Sequence, residues 1–207
     1  MLNLVFIGIQ GSGKGTQAKM LNRKLGLRHY AIGQRLRWHV SERTELGRQI
    51  ESIINKGNFV SDEIADELVF SEIPPTTKGY ILDGFPRNKA QAEFLLQHYR
   101  IDRVIYFDMD DDSARERLLA RRLCSVCGCD YNLISKIPKV KNKCDNCGGE
   151  LSARGDDYLA AIEKRLAVFH RKTKVLADFF DKLGLLTVID ASQPENEVNK
   201  AILKSLD

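Results

Sequence analysis

The sequence predicts an α/β fold, a parallel sheet flanked by helices, on three observations. Short apolar runs at 2–7, 80–82, 104–107 and 185–189 are almost free of polar residues, as strands buried on both faces are. Helical stretches at 16–25, 62–73, 90–99, 113–123 and 156–183 give the alternation that a parallel sheet requires. A glycine-rich turn joins the first run to the first helical stretch. In the longest stretch Leu159, Ile162, Leu166 and Phe169, then Leu176, Phe179 and Leu183, recur at three- and four-residue steps, a stripe expected to face the core. Residues 28–79 carry few strand signals and several helical ones, so a helical excursion is expected before the strand at 80. Residues 123–151 replace periodic apolar positions with glycines, lysines and Pro138 and are expected to form an insertion.

Composition narrows the class. A chain of 207 residues fits one compact unit with a small inserted module. At 43% hydrophobic and 29% charged it can build a sizeable core, which excludes wholesale disorder. No run of about 18 apolar residues could cross a bilayer, and residues 1–7 lack the basic lead and small-residue cleavage site of an export signal. A soluble, cytoplasmic protein with no membrane partner is expected. The net charge of +4 fits nucleic acid, an anionic surface or a phosphate-rich small molecule, and does not choose among them.

The turn after the first strand reads Gly8-Ile9-Gln10-Gly11-Ser12-Gly13-Lys14-Gly15-Thr16. Strand, glycine-rich turn, lysine and helix in this order form a phosphate loop, with backbone N–H groups and the helix N-terminus around an anion and Lys14 supplying a full charge. Thr16 or its hydroxyl neighbour can hold magnesium. A second apolar strand ends in Asp83-Gly84-Phe85-Pro86-Arg87, which puts a carboxylate suited to a magnesium shell and a guanidinium suited to a phosphate at the carboxyl edge of the sheet.

The cysteines have their own pattern. Cys124-x2-Cys127, sixteen intervening residues and Cys144-x2-Cys147 have the four-thiolate spacing of a zinc ribbon. Two disulfides are the competing account, weakened by the expected reducing compartment. With four protein ligands the zinc is structural, since no coordination position stays open for water or substrate. Cys129 is left over as a bystander thiol.

The run Gly-x-x-Gly-x-Gly-Lys-Gly-Thr-Gln resembles the nucleoside monophosphate kinases, and within them the adenylate kinases with a zinc-containing lid. Asp-Gly-Phe-Pro-Arg at 83–87, Leu36-Arg37, Gly57-Asn58-Phe59-Val60-Ser61-Asp62-Glu63 and Leu151-x-x-Arg154-Gly-Asp156-Asp157 are similar to the same family, so the resemblance covers essentially the whole chain. It implies a P-loop core at 1–29, 80–122 and 155–207, a helical segment binding the nucleoside monophosphate at 30–79, and a zinc-binding lid at 123–154. The implied activity is transfer of the γ-phosphoryl group of MgATP to AMP, giving two ADP. ATP would contact Gly11, Ser12, Gly13, Lys14, Gly15, Thr16, Arg117, Arg121 and Gln193. AMP would contact Ile32, Arg37, Asn58, Phe59, Val60, Gly84, Phe85, Pro86, Arg87, Gln91, Arg154 and Arg165, with Gln91 reading the base. Catalysis would fall to Lys14, Asp83, Arg87, Arg121, Arg154 and Arg165, and a monomer is implied. Taken alone, Asp62 reads as a helix N-cap with Glu63 in the first turn.

One departure from the family pattern concerns the acceptor. Ser/Thr-Gly-Asp before x-Leu-Arg is replaced by Ile32-Gly33-Gln34-Arg35-Leu36-Arg37, which removes a hydroxyl near the base. Loss of one neutral hydrogen bond is expected to weaken AMP binding about tenfold and leave the chemistry intact. Two rivals follow: a kinase for another nucleoside monophosphate, and a zinc-ribbon ATPase acting on nucleic acid. The second is poorly supported, because the insertion holds only Tyr131 as a stacking residue and the net charge is small, so no nucleic-acid partner is expected.

Overall fold

The computed structural model describes residues 2–73 and 79–206. β1 (Leu2–Gly8) leads into α1 (Lys14–Leu25) and β2 (Arg28–Ala31), followed by α2 (Ile32–Ser41), α3 (Glu45–Asn55) and α4 (Asp62–Glu72). β3 (Gly79–Asp83), α5 (Lys89–His98), β4 (Arg103–Asp108) and α6 (Asp111–Leu119) continue the alternation. A module of β5 (Arg121–Cys124), β6 (Asp130–Asn132) and β7 (Leu151–Ser152) intervenes. Then come α7 (Leu159–Val168), a π-helical turn (Phe169–Thr173), α8 (Leu176–Lys182), β8 (Leu186–Asp190) and α9 (Glu195–Lys204). The portions of the expected domain ranges at residues 1, 74–78 and 207 lie outside the described residues.

The five core strands form one parallel sheet in the order β2-β3-β1-β4-β8. Strand alternation sorts the core onto two faces. Val5, Ile7, Tyr80, Leu82, Val104 and Tyr106 pack on the face covered by α5, α7 and α8, and Leu4, Phe6, Ile81, Ile105 and Phe107 on the face covered by α1 and α9. Both faces are buried, which is why these strands read as unbroken apolar runs. The chain reverses its direction of travel across the sheet beside β1, so the carboxyl ends of β1, β3 and β4 frame the crevice where such sheets bind ligands. Among the described residues, no helix is long and apolar enough to cross a membrane.

Four local expectations give way. β2 lies inside the expected helical excursion: of the four residues of this edge strand Tyr30 is buried and Arg28 is exposed at its start, so Arg-His-Tyr-Ala carries little strand signal. The helix expected at 113–123 ends at Leu119, because Arg121–Cys124 pairs with β6 and β7. The helix expected at 156–183 is interrupted by the π turn. One extra residue in a turn rotates the following face by about 100°, so after it Phe180 rather than Phe179 is fully buried with Leu176, and Leu183 is exposed; Leu159, at the start of α7, is exposed as well. α4 is capped by Ser61, and Asp62 is its first residue.

Candidate active site

The phosphate loop is built by backbone conformation. Gly11 and Gly13 have φ of 91° and 87°, in the left-handed region, and a Cβ on Gly11 would lie 2.9 Å from the Ala114 carbonyl oxygen. Gly13 caps α1 without any side-chain hydrogen bond, leaving the first-turn N–H groups for an anion. Lys14 folds back over the loop and donates to the carbonyls of Gly8 and Ile9 at 2.7 and 2.8 Å and to Ser12 Oγ at 3.3 Å. Burial pulls its pKa down to about 8, against the opposing pull of Asp83. Gln17 anchors the same helix by donating to the Glu195 carbonyl at 2.7 Å and accepting from Asn199 at 3.0 Å.

Asp83 ends β3 beside the first turn of α1, where a Cβ on Gly15 would stand 3.6 Å from its Oδ2. His29 Nε2 lies 3.2 Å from the same oxygen. Burial pushes the Asp83 carboxyl up, but the His29 hydrogen bond and the Lys14 charge outweigh it and hold it below the ordinary carboxylate range. An ionised carboxylate beside Gly15 and the loop suits a divalent cation bound to phosphate oxygens. Arg117 donates to the carbonyls of Ala191 and Ser192 at 3.0 and 3.2 Å, which brings it to the turn that carries Gln193. Gln193 itself donates to Asp190 at 2.9 Å.

Across the crevice, Arg87 is fixed on every side. Its Nε donates to the Gly84 carbonyl at 2.7 Å, its backbone N–H to Gln91 Oε1 at 2.8 Å, and its carbonyl accepts from Thr173 Oγ1 of the π turn at 2.8 Å. The guanidinium lies 4.1 Å above the Phe59 ring. A Cβ on Gly33 would come 3.4 Å from Arg37 Nη1 and 3.8 Å from Arg87 Nη2, so the two guanidiniums converge on this glycine. Asn58, Phe59, Val60 and Gln91 line an adjoining cavity of about 290 Å³ together with Asp62 and Asn88. Asp62 accepts from Asn88 Nδ2 and Gln91 Nε2 at 2.7 and 2.8 Å, tying α4 to α5. Ile32 and Phe85 instead send their side chains into the main core, at 3% and 1% exposure. The Phe85–Pro86 peptide bond, between Gly84 and Arg87, is cis.

The remaining arginines meet at Asp156 and Asp157, two carboxylates that belong to the Leu151-x-x-Arg154-Gly-Asp156-Asp157 motif but carry no expected site role. Arg121 grips Asp157 with two bonds of 2.7 Å, and Arg165 Nη2 reaches the same carboxylate at 2.9 Å. Arg165, Arg154 and Arg37 approach Asp156 at 3.3, 3.4 and 3.9 Å. Burial pushes Asp157 up, yet the Arg121 hydrogen bonds and charge hold it below the ordinary carboxylate range. The cations respond in the opposite sense. Burial, helped by neighbouring guanidiniums, lowers Arg154 to about 9; burial likewise brings Arg37 and Arg87 to about 10. All stay protonated at neutral pH. Among the described residues, Lys14, Arg37, Arg87, Arg121, Arg154 and Arg165 thus face Asp83, Asp156 and Asp157, six cations against three carboxylates, and the crevice is built for polyanions.

In the inserted module the sulfurs of Cys124, Cys127, Cys144 and Cys147 all lie within 4.8 Å of one another. The Cys124–Cys147 and Cys127–Cys144 separations are 3.5 Å, far beyond a disulfide and close to the edge of a zinc-thiolate tetrahedron, about 3.8 Å for Zn–S bonds of about 2.3 Å. The donor set fits zinc. Tyr131 OH, 3.5 Å from Cys144 Sγ and accepting from the Asp145 N–H at 2.7 Å, braces the second knuckle. Cys129 stands outside the four.

A phosphate loop with a carboxylate beside it, a second cavity across the crevice and a ring of guanidiniums between them define a phosphotransferase of the nucleoside monophosphate kinase class. Residues 6–185 match the family model described as Adenylate kinase. The chain is 39% identical to the adenylate kinase of Treponema denticola over 199 residues, 95% of each chain. It is 40% identical to that of Bacillus licheniformis, covering 95% of this chain and 94% of the relative, and 39% identical to that of Archaeoglobus fulgidus, covering 97% and 96%. The chain belongs to the adenylate kinase family.

Proposed function

We propose that the protein transfers the γ-phosphoryl group of MgATP to AMP, reversibly, to give two ADP, and that it works as a cytoplasmic monomer. The observation that carries this reading is the surplus of buried positive charge strung between the Lys14 loop and the Arg37–Arg87 pair. The loop N–H groups and Lys14 hold the β- and γ-phosphates, while Arg37 and Arg87 hold the phosphate of AMP. Asn58, Phe59, Val60 and Gln91 enclose its base. An anionic oxygen of that phosphate attacks the γ-phosphorus in line as the bond to the β,γ-bridging oxygen breaks and ADP departs. No general base is required, because the attacking oxygen already carries charge. Arg121, Arg154 and Arg165 offset the charge that spreads over the equatorial oxygens, for which positioned arginines are worth about 10³ to 10⁵ in rate. Thr16 and Asp83 would hold magnesium, which supplies neutralisation of the phosphate oxygens. The four cysteines would hold a structural zinc that gives the lid its fold.

Gln91 bears on the acceptor. Its Oε1 is taken by the Arg87 N–H and one Nε2 hydrogen by Asp62, so a single amide hydrogen is left for an acceptor atom of the base. The test is ADP formation from ATP with AMP, GMP, CMP or UMP, with zinc measured on the same sample. AMP is expected to be the preferred acceptor, and Lys14→Met to abolish turnover. Preference for another monophosphate, or wild-type turnover by Lys14→Met, would refute the assignment.

A further inference from the structure

Outside the nucleotide crevice, a groove of about 460 Å³ opens between α1 and the edge strand β2, lined by Lys19, Asn22, Arg23, Arg28, His29 and Tyr30. Lys19, Asn22 and Arg23 stand three and four residues apart, on one face of α1. Among the described residues, no carboxylate lines the groove. Arg23 and Arg28 form no ion pair among the described residues, although Arg28 also lies 5.7 Å over the Tyr30 ring. The Asn22 amide gives one hydrogen to the Leu27 carbonyl at 2.7 Å and keeps a second, and the Tyr30 hydroxyl has no partner among the described residues, so both can supplement the cations as donors.

Two of the lining residues are tied to carboxylates elsewhere. His29 reaches Asp83 at 3.2 Å, and Lys19 pairs with Asp130 of β6, on the zinc module. The groove therefore touches both the catalytic carboxylate and the lid through single contacts. We propose that it binds a multiply charged phosphate anion, and that binding draws Lys19 away from Asp130 and loosens the lid. Guanidiniums offer paired donors that match phosphate oxygens, and three cations around one small groove call for more charge than a lone carboxylate carries. The anion and Asp130 compete for one ammonium, so their effects must be reciprocal: releasing Lys19 strengthens the anion, and the anion weakens the lid contact.

The binding half stands without the proposed reaction, and the experiment keeps the two apart. Tripolyphosphate is titrated calorimetrically into the zinc-loaded protein with both nucleotide sites saturated by a non-hydrolysable ATP analogue and AMP, so that the phosphate loop is already filled. One anion per chain is expected, bound more tightly than orthophosphate. Arg23→Gln with Arg28→Gln should weaken it by about a hundredfold, taking each of the two lost charge-assisted bonds at about tenfold, and leave basal turnover unchanged. Asp130→Asn should tighten it several-fold, and adding the anion to the unsubstituted protein should speed amide exchange across 121–152. No binding to the saturated protein, binding equal to that of orthophosphate, or binding indifferent to the two arginines would overturn the site. An affinity unmoved by Asp130→Asn, or unchanged amide exchange, would overturn the link to the lid.

Discussion

Replacing Asp157 with asparagine tests the electrostatic design of the crevice most directly. The side chain is 1% exposed and accepts three charge-assisted hydrogen bonds, two from Arg121 and one from Arg165. Asparagine keeps the shape, deletes the charge and turns an amide N–H₂ toward a guanidinium. Removing one partner of a buried ion pair costs about 3–5 kcal/mol, and because Arg121 is 22% exposed the low end applies, about 3 kcal/mol. For a chain of this size that lowers the melting temperature by roughly 6–12 °C. On the proposed mechanism turnover should fall about a hundredfold, as Arg121 and Arg165 would lose the group that aims them at the transferring phosphoryl group. Calorimetric melting and steady-state rates on the same preparations provide the readout. A bisubstrate nucleotide analogue should recover much of the lost stability, because its phosphates restore negative charge to the same cations. The pH dependence has a fixed sign. Asp157 is depressed in the folded protein, so its contribution is complete above the ordinary carboxylate pKa and is lost as the pH falls through the folded value. A variant melting within 1 °C of the parent, with unchanged turnover, would show that the three bonds are incidental.

Three further outcomes follow. Lys14 has a pKa of about 8 in the open loop, and phosphate binding requires its charged form, so nucleotide affinity should fall as the pH rises above about 8, by up to tenfold per unit; a flat profile from pH 7 to 10 in direct binding would count against it. Zinc chelation should unfold residues 121–152 while the parallel sheet persists, seen as exchange of module amides ahead of those of β1 and β4; simultaneous loss of both would contradict a structural role confined to the lid. Gly47→Ala, ordinarily a gain of about 1 kcal/mol within a helix, should destabilise the protein, because its Cβ would sit 1.9 Å from the His39 carbonyl oxygen where α2 packs on α3; a raised melting temperature would refute that contact.

What the sequence disclosed was what is local along the chain. The phosphate loop, Asp83 with Arg87, and the cysteine pairs each lie within a few residues, so spacing carries their chemistry. The meeting of Arg121 and Arg165 on Asp157, or of Arg37 on Asp156, joins residues up to 119 positions apart in numbering. Only the acidic pair one glycine after Arg154 hinted at it, and an acidic pair is ordinarily a solvated turn. β2 escaped notice because an edge strand with one buried side chain leaves no alternating pattern. The π turn escaped because Leu166, Phe169 and Leu176 keep a helical rhythm in sequence while the backbone shifts phase beneath them. That shift has a use: it delivers Thr173 to the Arg87 carbonyl.

The inserted module contains one buried apolar cluster of only four residues, Cys124, Tyr131, Cys144 and Leu151, and two of these belong to the proposed zinc site. So small a nucleus cannot hold a fold by burial alone. With the proposed zinc, maturation would have an order: the sheet and its helices can assemble on the ribosome's schedule, and the final piece waits for a metal ion to be delivered. In a cell short of zinc the newly made chains would accumulate as half-finished molecules, able to grasp a triphosphate but unable to shield it from water.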